Sequence, residues 1–145
     1  MPKTILWLDN DEFWTRPYVR ALADNGFNIV VVDNLTTAEQ FLRNNKPQLI
    51  IIDVMITTLD AQEEARFPNA VTEDGRSTGL AFYAAIRPFL EEHAIKAIAL
   101  TVRLDGDIEK RFIAAGLPSE YFASKYSLRE LPSFVEKITA VVGAN

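Results

Sequence analysis

Apolar runs of three to five residues recur along this chain, and most of them end on a polar side chain. Ile5-Leu6-Trp7-Leu8 runs into Asp9 and Asn10, and Leu49-Ile50-Ile51-Ile52 runs into Asp53. Ala97-Ile98-Ala99-Leu100 runs into Thr101, and Lys125 follows Tyr121-Phe122-Ala123-Ser124. Short continuous apolar runs that alternate with helix-period segments read as parallel strands buried on both faces. The pattern predicts strands at roughly 4–9, 27–32, 48–53, 96–101 and 120–124.

Helical segments fall between them. The first is expected near 15–25, with Thr15 as cap, Pro17 in the first turn and Asn25-Gly26 ending it. The second opens on Thr36-Thr37-Ala38-Glu39, a capping-box spacing. A third runs from Gly79 to about Arg87, where Pro88 is expected to break or kink it. A fourth lies near 105–115 and ends at Gly116. The fifth carries the stripe Leu131, Phe134, Val135, Ile138, Val141 and Val142, with Pro132 in its first turn. Strand and helix alternating five times predict a three-layer α/β domain with right-handed crossovers, a doubly wound parallel sheet of order 2-1-3-4-5 in the flavodoxin-like pattern.

One stretch departs from this rhythm. Residues 57–77 form a connection far longer than the two to six residues usual between a strand and a helix. Asp60-Ala61-Gln62-Glu63 has the spacing of a helix start, so Ala61 to Phe67 is read as a short extra helix and Pro68 to Ser77 as irregular loop. The segment carries Asp60, Glu63, Glu64, Glu73 and Asp74 against Arg66 and Arg76. It is expected to be a solvated acidic surface loop that affects access more than folding, with Phe67 and Val71 the first candidates to pack if it is structural.

Composition adds limits. The 145 residues are 48% hydrophobic, enough for one domain (1–145) with a core of its own. The absence of cysteine removes disulfides and thiolate metal sites and is compatible with a reducing, cytoplasmic setting. No run is long enough for a membrane span. A net charge of −5 without a basic run argues against direct nucleic-acid binding.

The strand ends carry the chemistry. Ligands of open α/β sheets gather at the carboxyl ends of the strands. Asp9, Asn10, Asp53, Thr101 and Lys125 would therefore share one edge. Two carboxylates in one pocket repel unless a cation intervenes, and Mg²⁺ needs only one or two carboxylates with water completing its shell. Taken singly, each residue has a plainer reading: Asp53 as a cap, Thr101 as a strand terminator, Lys125 as a solvated lysine. Trp7 and Trp14 read as packing residues and His93 as surface. Their recurrence at equivalent strand ends favours a site.

The runs ending in Asp9-Asn10, Asp53, Thr101 and Lys125, together with Gly79-Leu80 and Ala85-Ile86-Arg87, resemble the receiver domain of two-component response regulators, typified by the single-domain chemotaxis regulator. The resemblance implies a stand-alone phosphoacceptor that takes phosphate on Asp53 from a histidine kinase or phosphotransfer protein and signals by binding a protein target, without enzymatic turnover beyond slow self-dephosphorylation. It implies Mg²⁺ held by Asp9, Asn10, Asp53 and the backbone carbonyl of Met55. Thr101 becomes the switch hydroxyl, Lys125 the phosphoryl contact, and Phe122 the aromatic that changes rotamer against the face of the fourth helix, fifth strand and fifth helix.

The chain also departs from that family. Asn10 stands where a second acid is usual, leaving Asp11 or Glu12 to compensate; Val102 follows Thr101 in place of a small residue, and Tyr126 follows Lys125 in place of proline. These keep a pseudo-receiver, a module that binds partners without phosphorylation, as the alternative. A third reading takes Asp9-Asn10-Asp11 as the nucleophile motif of haloacid-dehalogenase-like phosphatases, with Asp9 attacking and Asp11 as acid/base. It ranks last, because no acidic pair follows Lys125 and Asp53 is left without a role.

Overall fold

A computed structural model describes residues 3–102, 106–125 and 131–143. Five parallel strands form one sheet of order β2-β1-β3-β4-β5: β1 Thr4–Leu8, β2 Asn28–Val32, β3 Leu49–Asp53, β4 Lys96–Thr101 and β5 Phe122–Ser124. The helices are α1 Glu12–Asp24, α2 Leu35–Asn45, α3 Ala61–Arg66, α4 Asn69–Thr72, α5 Thr78–Glu92, α6 Gly106–Ala114 and α7 Leu131–Val142. A 3-10 turn, Ser119–Tyr121, leads into β5, so that strand is shorter than its apolar run predicts.

Alternation along the strands divides the core in two. Leu6, Leu8, Ile50, Ile52, Ala97 and Ala99 face a cluster closed by Leu35 and Leu42 of α2, Phe82 and Ile86 of α5, and Ile108 and Phe112 of α6. Ile5, Trp7, Leu49, Ile51, Ile98 and Leu100 face the other, closed by Tyr18 and Leu22 of α1 and Phe134 and Ile138 of α7. Every residue of β3 is buried, as expected of the central strand of a covered sheet.

Several helix boundaries differ from the sequence expectation. Asp11, not Thr15, caps α1: its carboxylate accepts from the Trp14 N–H at 3.0 Å, and Thr15 lies buried inside the helix. Asn34 caps α2 by accepting from the Thr37 N–H at 2.8 Å, so Thr36 and Glu39 form no capping box. Of the break or kink expected at Pro88, the break does not occur: the third predicted helix, α5, continues through Pro88 to Glu92. Pro88 and Ala84, whose carbonyl loses its partner, are both exposed, so water can satisfy that carbonyl. Phe82, Tyr83, Ile86 and Leu90 meanwhile hold the buried face in register across the proline.

The long connection after β3 departs most. Its first part is helical as expected (α3), but 68–77 is not all irregular, since α4 gives it one helical turn. Nor are its acids all solvated. Glu63 is buried, and Glu73 pairs with Arg111 of α6 at 2.5 Å. Phe67 is buried against Phe82, whereas Val71 is exposed. Thr72, Ser77 and Thr78 are buried as well. The segment is an ordered part of the domain.

Candidate functional site

The register explains how distant residues meet. Leu8 pairs with Ile52, so Asp9 and Asp53 extend neighbouring strands at the same level. Asp53 pairs with Leu100, and Thr101 pairs with Ser124. Thr101 therefore stands one residue above the carboxylates and Lys125 two, about 3.3 Å per step. By strand parity Asp9, Asp53 and Lys125 share the α1/α7 face of the sheet. A long side chain is what a residue two levels up needs to reach the two acids.

Lys125 does reach them. Its Nζ lies 2.8 Å from Asp9 Oδ2 and 3.8 Å from Asp53 Oδ1. All three side chains are buried. The ammonium also sits 4.7 Å from the centre of the Trp14 ring, which faces it from the first turn of α1. Trp14 in turn stacks on Tyr18 and meets Trp7 edge-on, and Trp7 stacks on Phe134. Packing is the role expected of Trp7 and Trp14, but Trp14 additionally walls the lysine. The sequence offered one signal for this, an aromatic residue six positions after the end of β1.

Backbone donors address the other oxygens. The Asp11 N–H donates to Asp9 Oδ1 at 2.8 Å, and the Met55 N–H to Asp53 Oδ1 at 3.3 Å. Asp9 Oδ2 has the ammonium at ion-pair distance but no aligned hydrogen bond. The Asp53 carboxyl is pushed up to about 7, by burial first and by the Asp9 charge second; Lys125 and the Met55 N–H pull the other way without cancelling them. Two buried carboxylates thus share one lysine, which leaves the pocket short of positive charge. A hard divalent cation suits that deficit. Among the described residues no group of three or more His, Cys, Asp or Glu side chains could hold a metal. Such a cation would therefore depend on Asp9 and Asp53, with neutral oxygens and water completing its shell.

The remaining predicted residues divide around this centre. Thr101 is fully buried at the end of β4, and Val102 is partly exposed at the rim. Asn10 is exposed beside Asp9. Of the two candidate compensating acids, Asp11 is engaged as the α1 cap, and the exposed Glu12 lies 3.9 Å from Arg16. Phe122 is half-buried, its ring 5.6 Å from that of Phe112 of α6. His93 caps the C-terminus of α5 against Phe89, away from the sheet edge. Tyr126 lies outside the described residues. Sequence reasoning named Gly79 as a helix start and as part of a matching motif but gave it no place at the site: a Cβ there would lie 2.5 Å from the Asp53 carbonyl oxygen and 2.7 Å from Val54 Cα. The Gly79 N–H also donates to the Val54 carbonyl at 2.9 Å, so both ends of the long connection are pinned beside Asp53.

No family model matches the chain. Among curated proteins it is similar to the response regulator MprA of Mycobacterium sp. (strain KMS), 30% identical over 74 residues. That match covers 51% of this chain and 32% of the relative, so the chain matches only about a third of the length of such relatives. Solved structures align along nearly all of it. A response regulator from Thermotoga maritima is 21% identical, covers 99% of this chain and 100% of its own, and has a TM-score of 0.70. A putative response regulator from Chloroflexus aurantiacus is 17% identical over 98% of each chain, with a TM-score of 0.72. A CheY-like receiver domain protein from Methanospirillum hungatei is 14% identical, covers 98% of this chain and 94% of its own, and has a TM-score of 0.74. The fold of this chain is therefore that of response-regulator receiver domains.

Proposed function

We propose that the protein is the phosphoacceptor of a two-component phosphorelay, with Asp53 as the acceptor. The observation that carries this reading is the buried Asp53 carboxylate at the end of the central strand, flanked by Asp9 and by the Lys125 ammonium. In the reaction an Asp53 oxygen attacks the phosphorus of a phosphohistidine in line. The P–N bond breaks, the imidazole leaves with the bond's electron pair, and an acyl phosphate remains on Asp53. Lys125 can shift from the carboxylate to a phosphoryl oxygen as a point charge, and the Thr101 hydroxyl can donate to another. Mg²⁺, held by Asp9, Asp53, the Asn10 amide oxygen and the Met55 carbonyl, would neutralise charge on the incoming phosphoryl group.

The partners that follow are a histidine kinase or phosphotransfer protein upstream and a protein target downstream, in the cytoplasm, with no direct contact to nucleic acid. No described helix is long and apolar enough to cross a membrane. A movement of Thr101 toward the phosphoryl group, with a rotamer change of Phe122 against α6, would carry the signal outward. The engagement of Asp11 as a helix cap weighs against the dehalogenase-like scheme, which needs it as acid/base.

Incubation with acetyl phosphate and Mg²⁺, followed by mass spectrometry, tests the proposal. One base-labile phosphate should appear on Asp53 and disappear in Asp53→Ala. Modification at Asp9 with turnover dependent on Asp11 would support the phosphatase instead. No modification, with partner binding intact in Asp53→Ala, would make the protein a pseudo-receiver.

A further inference from the structure

Glu63 is a buried carboxylate with no part in the reaction above. It is 4% exposed, and both of its oxygens are used. Oε2 accepts from the Thr36 N–H at 2.9 Å and from the Thr36 hydroxyl at 2.6 Å, both in the first turn of α2. Oε1 accepts from the Leu59 N–H at 2.8 Å. The Asp60 side chain caps α3 by accepting from the Glu63 N–H at 3.0 Å, which sets the rotamer origin of the glutamate. The result is a capping-box-like turn whose carboxylate reaches back past the cap residue and across to another helix.

The segment it ties down is the one that leaves Asp53. At its start, the Val54 N–H donates to the Leu100 carbonyl, the Val54 carbonyl accepts from Gly79, and Val54 and Ile56 are fully buried. At its end stands Leu59, exposed and held through its N–H by Glu63. Between them Met55 presents the N–H that donates to Asp53 Oδ1. That bond is long at 3.3 Å, so its length is sensitive to small displacements of the loop.

We infer that Glu63 is a positioning residue for the acceptor loop: by binding Leu59 and Thr36 at once, it fixes residues 54–59 against α2 and thereby sets the Met55 backbone at Asp53. This rests on Asp53 being the acceptor only for its kinetic consequence; the positioning itself is independent of it. An amide cannot replace this carboxylate. Glu63→Gln turns an NH₂ toward either Thr36 or Leu59, setting donor against donor.

The experiment compares Glu63→Gln, Thr36→Val and Thr36→Ser with the parent, well below each midpoint of unfolding. In Glu63→Gln the Met55 amide resonance in ¹H–¹⁵N spectra should shift, and the initial rate of phosphate uptake from acetyl phosphate should fall about tenfold per folded molecule. Thr36→Val, which keeps the backbone donor, should show a smaller change in the same direction, and Thr36→Ser should restore parental values. A Glu63→Gln variant that melts earlier but keeps the parental Met55 amide and uptake rate overturns the inference and leaves Glu63 a purely structural tie. Should Glu63→Gln fail to fold, an unmoved Met55 amide in Thr36→Val overturns it equally. A parent that takes up no phosphate overturns the proposed function alone, and the Met55 amide still decides the positioning.

Discussion

Two buried carboxylates lie in this molecule on opposite sides of the same loop, and their surroundings differ in kind. Glu63 is buried, yet both of its oxygens are used, accepting three hydrogen bonds from Thr36 and Leu59. Asp53 has a long bond from Met55, a lysine at 3.8 Å that sits closer to Asp9, and a second carboxylate against it. Burial and the Asp9 charge therefore disfavour its charged form. A carboxylate whose hydrogen bonds are complete stabilises a fold. One left short of partners holds free energy that a ligand can release, and such groups concentrate at functional sites. The comparison separates structure from site without reference to any relative.

The largest expected effect falls on the satisfied side. Replacing 58–77 by a short turn removes Glu63 and the buried Phe67 ring together. Loss of a buried phenylalanine alone costs about 3–5 kcal/mol, and the lost Glu63 hydrogen bonds add to it. The thermal midpoint should drop by at least about 10 °C in calorimetry, contrary to the reading of 57–77 as a dispensable loop. A midpoint within a degree or two of the parent would put the two carboxylates on the same footing.

The unsatisfied side should respond with the opposite sign. The Asp53 carboxyl titrates near 7 in the folded protein and near 3.8 unfolded, so the native state binds the proton more tightly. Its contribution to stability is complete below the unfolded value and is lost as pH rises through 7. Asp53→Asn keeps the shape without the charge. It should raise the midpoint by about 3–6 °C at pH 8 and by much less at pH 4.5. Equal gains at both pH values would mean that Asp53 carries no native-state charge penalty.

A smaller effect sharpens the charge deficit of the pocket. Asn10→Asp places a third carboxylate beside Asp9 and should tighten Mg²⁺ binding several-fold, read by tryptophan fluorescence because Trp14 lies against Lys125. Unchanged affinity would show that Glu12 already supplies the charge. The smallest effect belongs to Glu73–Arg111, a half-exposed pair joining the long connection to α6. Glu73→Gln should cost no more than about 0.5 kcal/mol by denaturant titration, since solvent screens such pairs. A cost several times larger would make this contact, rather than Glu63, the main tie of the segment.

The sheet and the acid pocket were legible in the chain because both follow from local rules. Strands buried on both faces must be continuously apolar, so Ile5–Leu8 and Leu49–Ile52 announced themselves. A parallel sheet then places every strand end on one edge, which brings Asp9, Asp53, Thr101 and Lys125 together by topology alone. What only the tertiary structure decided concerns groups whose partners are distant in sequence. Pro88 stays helical because α5 packs its buried face on the sheet while the lost bond faces water. Glu63 reads as one acid among five until Thr36, 27 residues earlier, turns its backbone and hydroxyl toward it. Composition records how many charges a segment carries. Whether a charge meets solvent or is buried against protein donors depends on which helix lies across from it, and the residues of the segment do not encode that locally.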